Sequence, residues 1–589
     1  MPTLETSNFN IVCAVLGGFI TLFGLVSYLF KEKFYLSEAL ISLVFGVAMS
    51  PHGADFIRPL EYTGSIENLN SATLYFSRLV LGVQLVLAGV QLPSRYLKLE
   101  WKALTLLLGP IMTTMWLASS LLVWAMVPNL PFLHALAVGA CVTPTDPVLS
   151  NSIVKGKFAD KNIPKELQKI IVAESGANDG LGYPYLFLAL YLIKYTGEGG
   201  AGQTGGASKA IGLWFGETWA YTIVLSVIYG ATVGWIAKEL LHWAEEKKFV
   251  DRESFLVFAI TLALFIVGTC GIIGSDDVLA CFIAGNVFTW DDWFRLETLD
   301  DSLQPTIDML LNLSVFIWFG AICPWTLFSH NDVIPIYRLL FLGVLILLFR
   351  RLPIVFALHK FIHQIDEKRQ AIFVGFFGPI GVSAIFYLYI SLEFLEKITV
   401  DGEQREDAAH LAEVITVVVW FLTICSIIVH GLSIPLGKLG FFLPRTLSRA
   451  FTTQTNSQTD LTIGARVYSS TANVGVLRER RRNNARDGSG SGNGTRNGSV
   501  VGSVAPALSS GTSSRQVFRI GGTVIKSGGV ESESRSGDGG GNGMGSGMGS
   551  SETVPDVSSM DAVVEGRAIR FPDEEVHLAE MGTRRDLEV

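Results

Sequence analysis

From Asn10 to about Pro435 the chain repeats one pattern, an apolar run of roughly 20 residues followed by a short polar link. A helix of that length crosses a hydrocarbon core about 30 Å thick. Thirteen spans are predicted, near 10–30, 36–53, 72–92, 103–127, 131–153, 166–193, 212–237, 253–272, 277–290, 305–327, 333–358, 370–393 and 409–435. The ninth is short enough to cross only in part, which leaves twelve or thirteen crossings. The first has no basic leader and is too long for a secretory signal core, so it reads as a span. Beyond it the pattern holds until Lys438. Residues 438–589 are rich in Gly, Ser, Arg and Asp with no sustained apolar run, which predicts a disordered tail. The expected architecture is an all-α polytopic membrane domain, 1–437, followed by a tail, 438–589.

Composition adds little to that picture. The mean hydropathy of +0.41 and the net charge of −8 both average two unlike parts, and nothing in the pattern calls for nucleic acid. The six cysteines form no CxxC pair and read as small core residues rather than a disulfide or zinc framework. The placement of charge says more. Basic residues crowd the links after odd-numbered spans: Lys31 and Lys33; Arg95, Lys98 and Lys102; Lys155 to Lys169; Lys238 to Arg252; Lys360, Lys368 and Arg369. Those links are therefore expected in the cytosol, with the amino terminus outside and the tail inside. In the tail, RERRR (Arg478–Arg482) reads as a solvated linker or a contact to anionic lipid, and the sequons at Asn493 and Asn497 would stay unglycosylated.

Two spans carry acids inside broken-looking sequence. A charge at mid-membrane costs about 2.5–3.5 kcal/mol on insertion scales, so such residues are functional by default. In TPTDP (Thr143–Pro147), Pro144 and Pro147 lack amide hydrogens, which frees the carbonyls of Ala140 and Thr143. Asp146, Thr143 and Thr145 add further oxygens, a set suited to a hard cation. The plainer alternative is a kink with Asp146 capping the next half-helix. In ESGAND (Glu174–Asp179), Glu174 with Asn178 and Ser175 with Asp179 are i,i+4 neighbours on one stripe. Asp179 lies ten residues past Lys169, roughly 15 Å into the membrane. Gly176, Gly180 and Gly182 permit close approach of another helix.

A buried Glu174 needs a cation. Arg350 and Arg351 of the eleventh span lie about 12–14 Å from its cytosolic end, where one can snorkel and the other face the interior. Asp276 and Asp277 are either ion ligands or the mark of an outer loop. His430, near the end of the last span, reads as a packed polar residue rather than a proton carrier. No HExxH, P-loop or Cys/His cluster appears, and the pattern is that of an ion carrier, not an enzyme. Two rival classes remain, a cation channel and an intramembrane aspartyl protease. The protease resembles GxGD around its second aspartate, which Asn178-Asp179-Gly180 does not fit.

TPTDP, AESGANDG, the FRRLP of span eleven, FGPIGVSAIF in span twelve and VHGLSIP in span thirteen resemble the monovalent cation:proton antiporters. Within that family the chain is most similar to the fungal plasma-membrane Na⁺/H⁺ antiporters. The likeness runs over about residues 10–445. It implies inverted repeats with an unwound crossing helix, a homodimer, and elevator-like alternating access with no cofactor. By motif, Asp179 resembles the essential ion- and proton-binding aspartate and Asn178 its neighbour. Asp146 resembles the aspartate of the unwound helix, and Thr145 and Ser175 offer further oxygens. Na⁺, Li⁺ or K⁺ would then sit among Asp146, Asp179, Ser175 and Thr145. Glu174 and Arg351 resemble a structural ion pair, and Asp276–Asp277 an acidic pair of the fungal branch. Other branches read GLRG where this chain has GPIG, so Ile380 occupies the place of an arginine. The implied role is exchange of cytosolic Na⁺ or Li⁺, or with a K⁺ preference, for external protons. Such export would serve salt tolerance and pH homeostasis, with cytosolic regulators acting on the tail.

Overall fold

A computed structural model describes residues 5–154, 162–197 and 205–457, together with 518–520 and 523–525. Its principal helices follow the predicted spans. They are α1 (Asn8–Tyr28), α2 (Glu38–Met49), α3 (Ile66–Gln91), α4 (Trp101–Met126, with a π turn at Leu107–Ile111), α5 (Phe132–Cys141) and α6 (Pro147–Val154). Then come α7 (Lys165–Gly180), α8 (Tyr183–Thr196), α9 (Gly206–Glu246, with a π stretch at Trp214–Val224), α10 (Arg252–Ile273) and α11 (Asp277–Phe288). The series closes with α12 (Leu303–Ile322), α13 (Ile336–Phe349), α14 (Leu352–Leu358), α15 (Lys368–Phe376), α16 (Val382–Glu396) and α17 (Glu406–Ser457).

Local sequence explains where several helices start. The Ser65 hydroxyl accepts from the Asn68 amide at 3.1 Å, Asp251 from Ser254 at 2.7 Å, and Asp276 from Leu279 at 3.0 Å. Each side chain satisfies an amide that the first helical turn leaves open. Glu367 and Gln370 form a reciprocal capping box at the start of α15.

Eight helical stretches among the described residues are long and apolar enough to cross a membrane. Their burial is uneven. The most apolar window of α3 is 78% buried, against 11% for α1 and 28% for α10, so α3 is a hub and the other two are outer helices. Outer positions such as Leu25, Ile272 and Phe341 are exposed although apolar, the inverse of a water-soluble surface and the pattern a lipid-facing wall requires. Inside, small residues set the spacing: Gly230 and Gly234 of α9 lie on the backbone of Ala280 and Ala284 of α11.

The structure differs from the predicted spans in four places. The sixth span is two helices, because α7 stops at Gly180 and α8 starts at Tyr183 with Pro184 in its first turn. The eleventh is interrupted at Arg350–Arg351, ahead of Pro353. The twelfth, read as one continuous helix, is broken between Phe376 and Val382, where Gly378, Pro379 and Gly381 interrupt the helical pattern. The last helix continues past Pro435 to Ser457. The expected break in the fifth span is present between Cys141 and Pro147.

The chain divides into two units, 1–468 and 469–589. In the second, the late VFRIGGTVI segment forms two short antiparallel strands, β1 (Phe518–Ile520) and β2 (Thr523–Ile525), with Phe518 opposite Ile525. Arg478–Arg482, the two sequons, and Lys155, Lys157 and Lys161 lie outside the described residues, as does the rest of the tail past Ser457.

Candidate functional site

The two breaks lie against each other, joined where the Asp146 amide donates to the Pro379 carbonyl at 3.0 Å. Each break leaves a helix C-terminus with spare carbonyls and a helix N-terminus with spare amides. Two opposite charges take them up. Asp146 serves the amides: Oδ2 accepts from Leu149 at 2.8 Å, and Oδ1 from Val382 at 2.8 Å and Ser383 at 3.3 Å. One carboxylate thus caps both α6 and α16, whose positive dipole ends converge on it. Residue 381 has to be small there, since a Cβ on Gly381 would sit 2.6 Å from the Asp146 carboxyl carbon.

Arg350 serves the carbonyls. Its guanidinium donates to Val142, to Thr143 at 3.2 Å and Pro144 at 3.4 Å in the first break, and to Gly378 in the second. The carbonyl that Pro147 frees on Thr143 is therefore engaged by an arginine. The cap on α6 that was the plainer alternative for Asp146 is present, and the second cap, on α16, is additional.

Against this crossing packs α7. The Thr145 amide donates to Asn178 Oδ1 at 3.2 Å, and Asn178 Nδ2 donates to Thr145 Oγ1 at 2.7 Å. The Ser175 hydroxyl is 3.3 Å from Thr145 Oγ1 and 3.2 Å from Ser150 Oγ. Thr145, Asp146, Ser175, Asn178 and Asp179 are all 2% exposed or less. The structure thus brings Thr145, Ser175 and Asn178 together, with Ser150 as an unforeseen neighbour.

Asp179 is the exception in this network. Neither of its carboxylate oxygens has a hydrogen-bond partner among the described residues. The Ser383 side chain lies beside it, and its charged neighbours are Asp146 and Asp276. The backbone of Asp179 is fixed instead, because Tyr387 donates its hydroxyl to the Asp179 carbonyl at the end of α7.

Glu174 and Arg351 form the expected pair. It is bidentate, 2.5 Å from Nη1 to Oε1 and 2.7 Å from Nη2 to Oε2, and both residues are at most 3% exposed. Arg351 also donates to the Val374 carbonyl at 3.0 Å, tying α14 to α15. Neither arginine snorkels, contrary to the expectation for one of them, because both have buried acceptors. Ile380 is buried with its amide donating to Ser426 at 2.7 Å, and the guanidinium at the crossing comes from Arg350 on the neighbouring span.

Asp276 and Asp277 are buried where the turn after α10 leads into α11. Asp277 binds Arg78 of α3 at 2.6 Å. His430 is packed, with Nε2 3.0 Å from the Phe376 carbonyl and Nδ1 2.9 Å from that of Ser426. The glycines of α7 and its junction do permit close approach, Gly176 to Phe282, Gly180 to Leu279 and Gly182 to Tyr387. Arg78, Tyr387 and Ser383 had no sequence signal beyond being polar in apolar spans. Arg350 had one, since carbonyls freed at membrane depth need a donor. Among the described residues no group of three or more His, Cys, Asp or Glu is arranged to hold a metal.

A match to the family described as sodium/hydrogen exchanger, transmembrane, covers residues 18–436. A Na⁺/H⁺ antiporter of Saccharomyces cerevisiae is 37% identical over 465 residues, which make up 77% of this chain and 46% of that protein. A Na⁺/H⁺ antiporter of Schizosaccharomyces pombe is 30% identical over 461 residues, 76% of this chain and 95% of that one. The chain spans about half the length of the longer curated relatives it matches. The solved structure of a sodium proton antiporter from Methanocaldococcus jannaschii at pH 8 shares the fold, with a TM-score of 0.51 at 20% identity. That likeness covers 72% of this chain and 100% of the archaeal one.

Proposed function

The chain belongs to the transmembrane sodium/hydrogen exchanger family, and from that premise we propose that it exchanges cytosolic Na⁺ or Li⁺, with K⁺ as a further substrate, for protons from outside the cell. The observation that carries this reading is the Asp179 carboxylate, buried within a span with both oxygens unengaged, beside the oxygens of Ser175, Thr145 and Asn178. A carboxylate so placed accepts either a proton or a small cation, and each excludes the other. Exchange follows from that competition once the loaded site faces each side in turn. Thr145, Ser175 and Asn178 supply neutral oxygens for the cation. Asp146 holds the crossing in shape beside it, and its negative charge favours the cation-loaded state. Glu174 with Arg351 anchors α7 against the helices that carry the second break.

The reaction is transport and calls for no cofactor. Relatives named as Na⁺/H⁺ antiporters support it, and so does the oxygen-only donor set. Loop charge supports a plasma-membrane orientation with the amino terminus outside and residues 438–589 in the cytosol, where regulators would bind. The functional unit is a homodimer, and its service to the cell is salt tolerance with pH and cation homeostasis. The test is proton flux in vesicles holding the purified full chain, with Na⁺, Li⁺ and K⁺ added in turn against an imposed pH gradient. Each accepted cation is expected to dissipate the gradient and to accumulate uphill. Accumulation at the lowest concentration with K⁺ would make it a K⁺-preferring exchanger. Flux that only ever runs downhill would make it a channel and overturn the proposal.

A further inference from the structure

The second break is poor in the means to satisfy itself. Its middle residues, Gly378, Pro379, Ile380 and Gly381, carry no polar side chain. Backbone groups buried there need partners from elsewhere, since leaving one unpaired costs as much as a lost hydrogen bond. Arg350 takes the Gly378 carbonyl, and the Asp146 amide takes that of Pro379. Two more groups are met from α17. The Ile380 amide donates to Ser426 Oγ at 2.7 Å. The Phe376 carbonyl, which also accepts from the Gly378 amide, lies 3.0 Å from His430 Nε2.

Ser426 and His430 are four residues apart and so share one face of α17. They also meet each other: Ser426 Oγ is 3.1 Å from His430 Nδ1, and both residues are at most 3% exposed. The partners fix the roles. A carbonyl only accepts, so Nε2 carries the hydrogen that reaches Phe376. Nδ1 is then bare and accepts from the Ser426 hydroxyl, whose oxygen has already accepted from Ile380. The opposite tautomer would donate from Nδ1 to the Ser426 carbonyl at 2.9 Å and turn a lone pair on Phe376. An imidazolium would serve both carbonyls, yet it would stand as a second buried cation beside the Arg350 guanidinium. The result is a relay of three hydrogen bonds that all point one way, from the Ile380 amide to the Phe376 carbonyl. It closes the break across its mouth, and bonds in such a chain strengthen one another. The next residue, Gly431, lets this turn of α17 lie on α2, because a Cβ there would stand 2.9 Å from that of Leu40.

We propose that Ser426 and His430 are positioning residues for the ion site, and that a neutral His430 sets its cation affinity through the shape of the second break. Just past Ile380 stand Val382 and Ser383, whose amides hold Asp146 Oδ1. Without the relay those amides lose their fixed place, and the Asp146 carboxylate beside Asp179 loses it with them. The inference rests on the exchange reading above and adds to it two residues that touch no transported ion.

The experiment uses the full chain, in vesicles for exchange and in detergent for backbone hydrogen exchange followed by mass spectrometry. Ser426→Ala removes the middle of the relay. It is expected to speed hydrogen exchange in the peptide carrying Ile380. It should also raise the KM for Na⁺ by about 3- to 10-fold, the scale of one lost hydrogen bond, with kcat little changed. His430→Leu should do the same. His430→Gln keeps an N–H for Phe376 and an oxygen for the Ser426 hydroxyl, so it should restore the parent's KM and pH profile, which a mere loss of packing would not allow. A His430→Gln variant that loses exchange or shifts its pH profile makes His430 a proton carrier and overturns the inference. A Ser426→Ala variant with the parent's KM overturns it too. Should His430→Leu fail to insert, the other two variants decide. Unaltered hydrogen exchange at Ile380 in Ser426→Ala removes the relay itself, whatever the chain transports. A parent that carries no cation sinks the exchange reading and the positioning role with it, while a parent that exchanges with variants that match it sinks the inference only.

Discussion

The crossing of the two broken helices and the end of α7 lie side by side, yet they treat polar groups in opposite ways. At the crossing, both Asp146 oxygens are bonded and Arg350 reaches carbonyls of both breaks. At the end of α7, Asp179 and Asp276 hold three carboxylate oxygens with no partner among the described residues. The first arrangement is what a fold needs where backbone is exposed at membrane depth. The second leaves carboxylate oxygens unsatisfied, which burial makes costly. The contrast teaches that a carboxylate at a helix break can be taken up wholly by the amides the break frees, while one at the end of α7 keeps unsatisfied oxygens.

This contrast ranks substitutions by their cost in stability. Arg350→Ala should be the most damaging, because it strands carbonyls from two breaks at once. A loss of about 3–5 kcal/mol is expected, the scale for removing one member of a buried charged network, and thermal melts in detergent measure it. A melting temperature within error of the parent's would refute the role given to Arg350. Glu174→Ala and Arg351→Ala should each cost a similar amount, while the double variant recovers part of it. Strictly additive losses in that cycle would show that the pair is not energetically coupled.

Asp146→Asn should cost about 1–2 kcal/mol, the scale of a weakened helix cap, and should raise the apparent KM for the cation. An unchanged melt together with an unchanged KM would remove Asp146 from both roles. Asp179→Asn belongs at the bottom of the ranking. Its stability should stay within about 0.5 kcal/mol of the parent or rise, since a lone buried charge has been removed, while exchange disappears. If it melts far below the parent, the distinction between the two aspartates collapses.

Much of this site was legible in the chain. Prolines flanking Asp146 announced one break, and i,i+4 spacing put Ser175, Asn178 and Asp179 on one stripe, because helical geometry is local. The partnership of Glu174 with an arginine followed from the cost of burying charge. The second break was missed although Gly378, Pro379 and Gly381 stand in plain view, because apolar neighbours on both sides kept the hydropathy of one span. Arg78 and Tyr387 were out of reach altogether. Arg78 meets Asp277 across 199 positions of sequence and Tyr387 meets Asp179 across 208, and no local periodicity reports which distant helices become neighbours.

The bookkeeping of charge across these helices has an electrical consequence. Glu174 is balanced by Arg351 and Asp277 by Arg78, so neither pair carries a net charge. Transmembrane voltage, which acts with about 2.3 kcal/mol per elementary charge per 100 mV, therefore exerts no net force on either pair. In the exchange proposed above, it acts on whatever Asp179 holds at the time. The voltage dependence of that proposed cycle is thus a readout of whether the Asp179 carboxylate is bare when the site turns around.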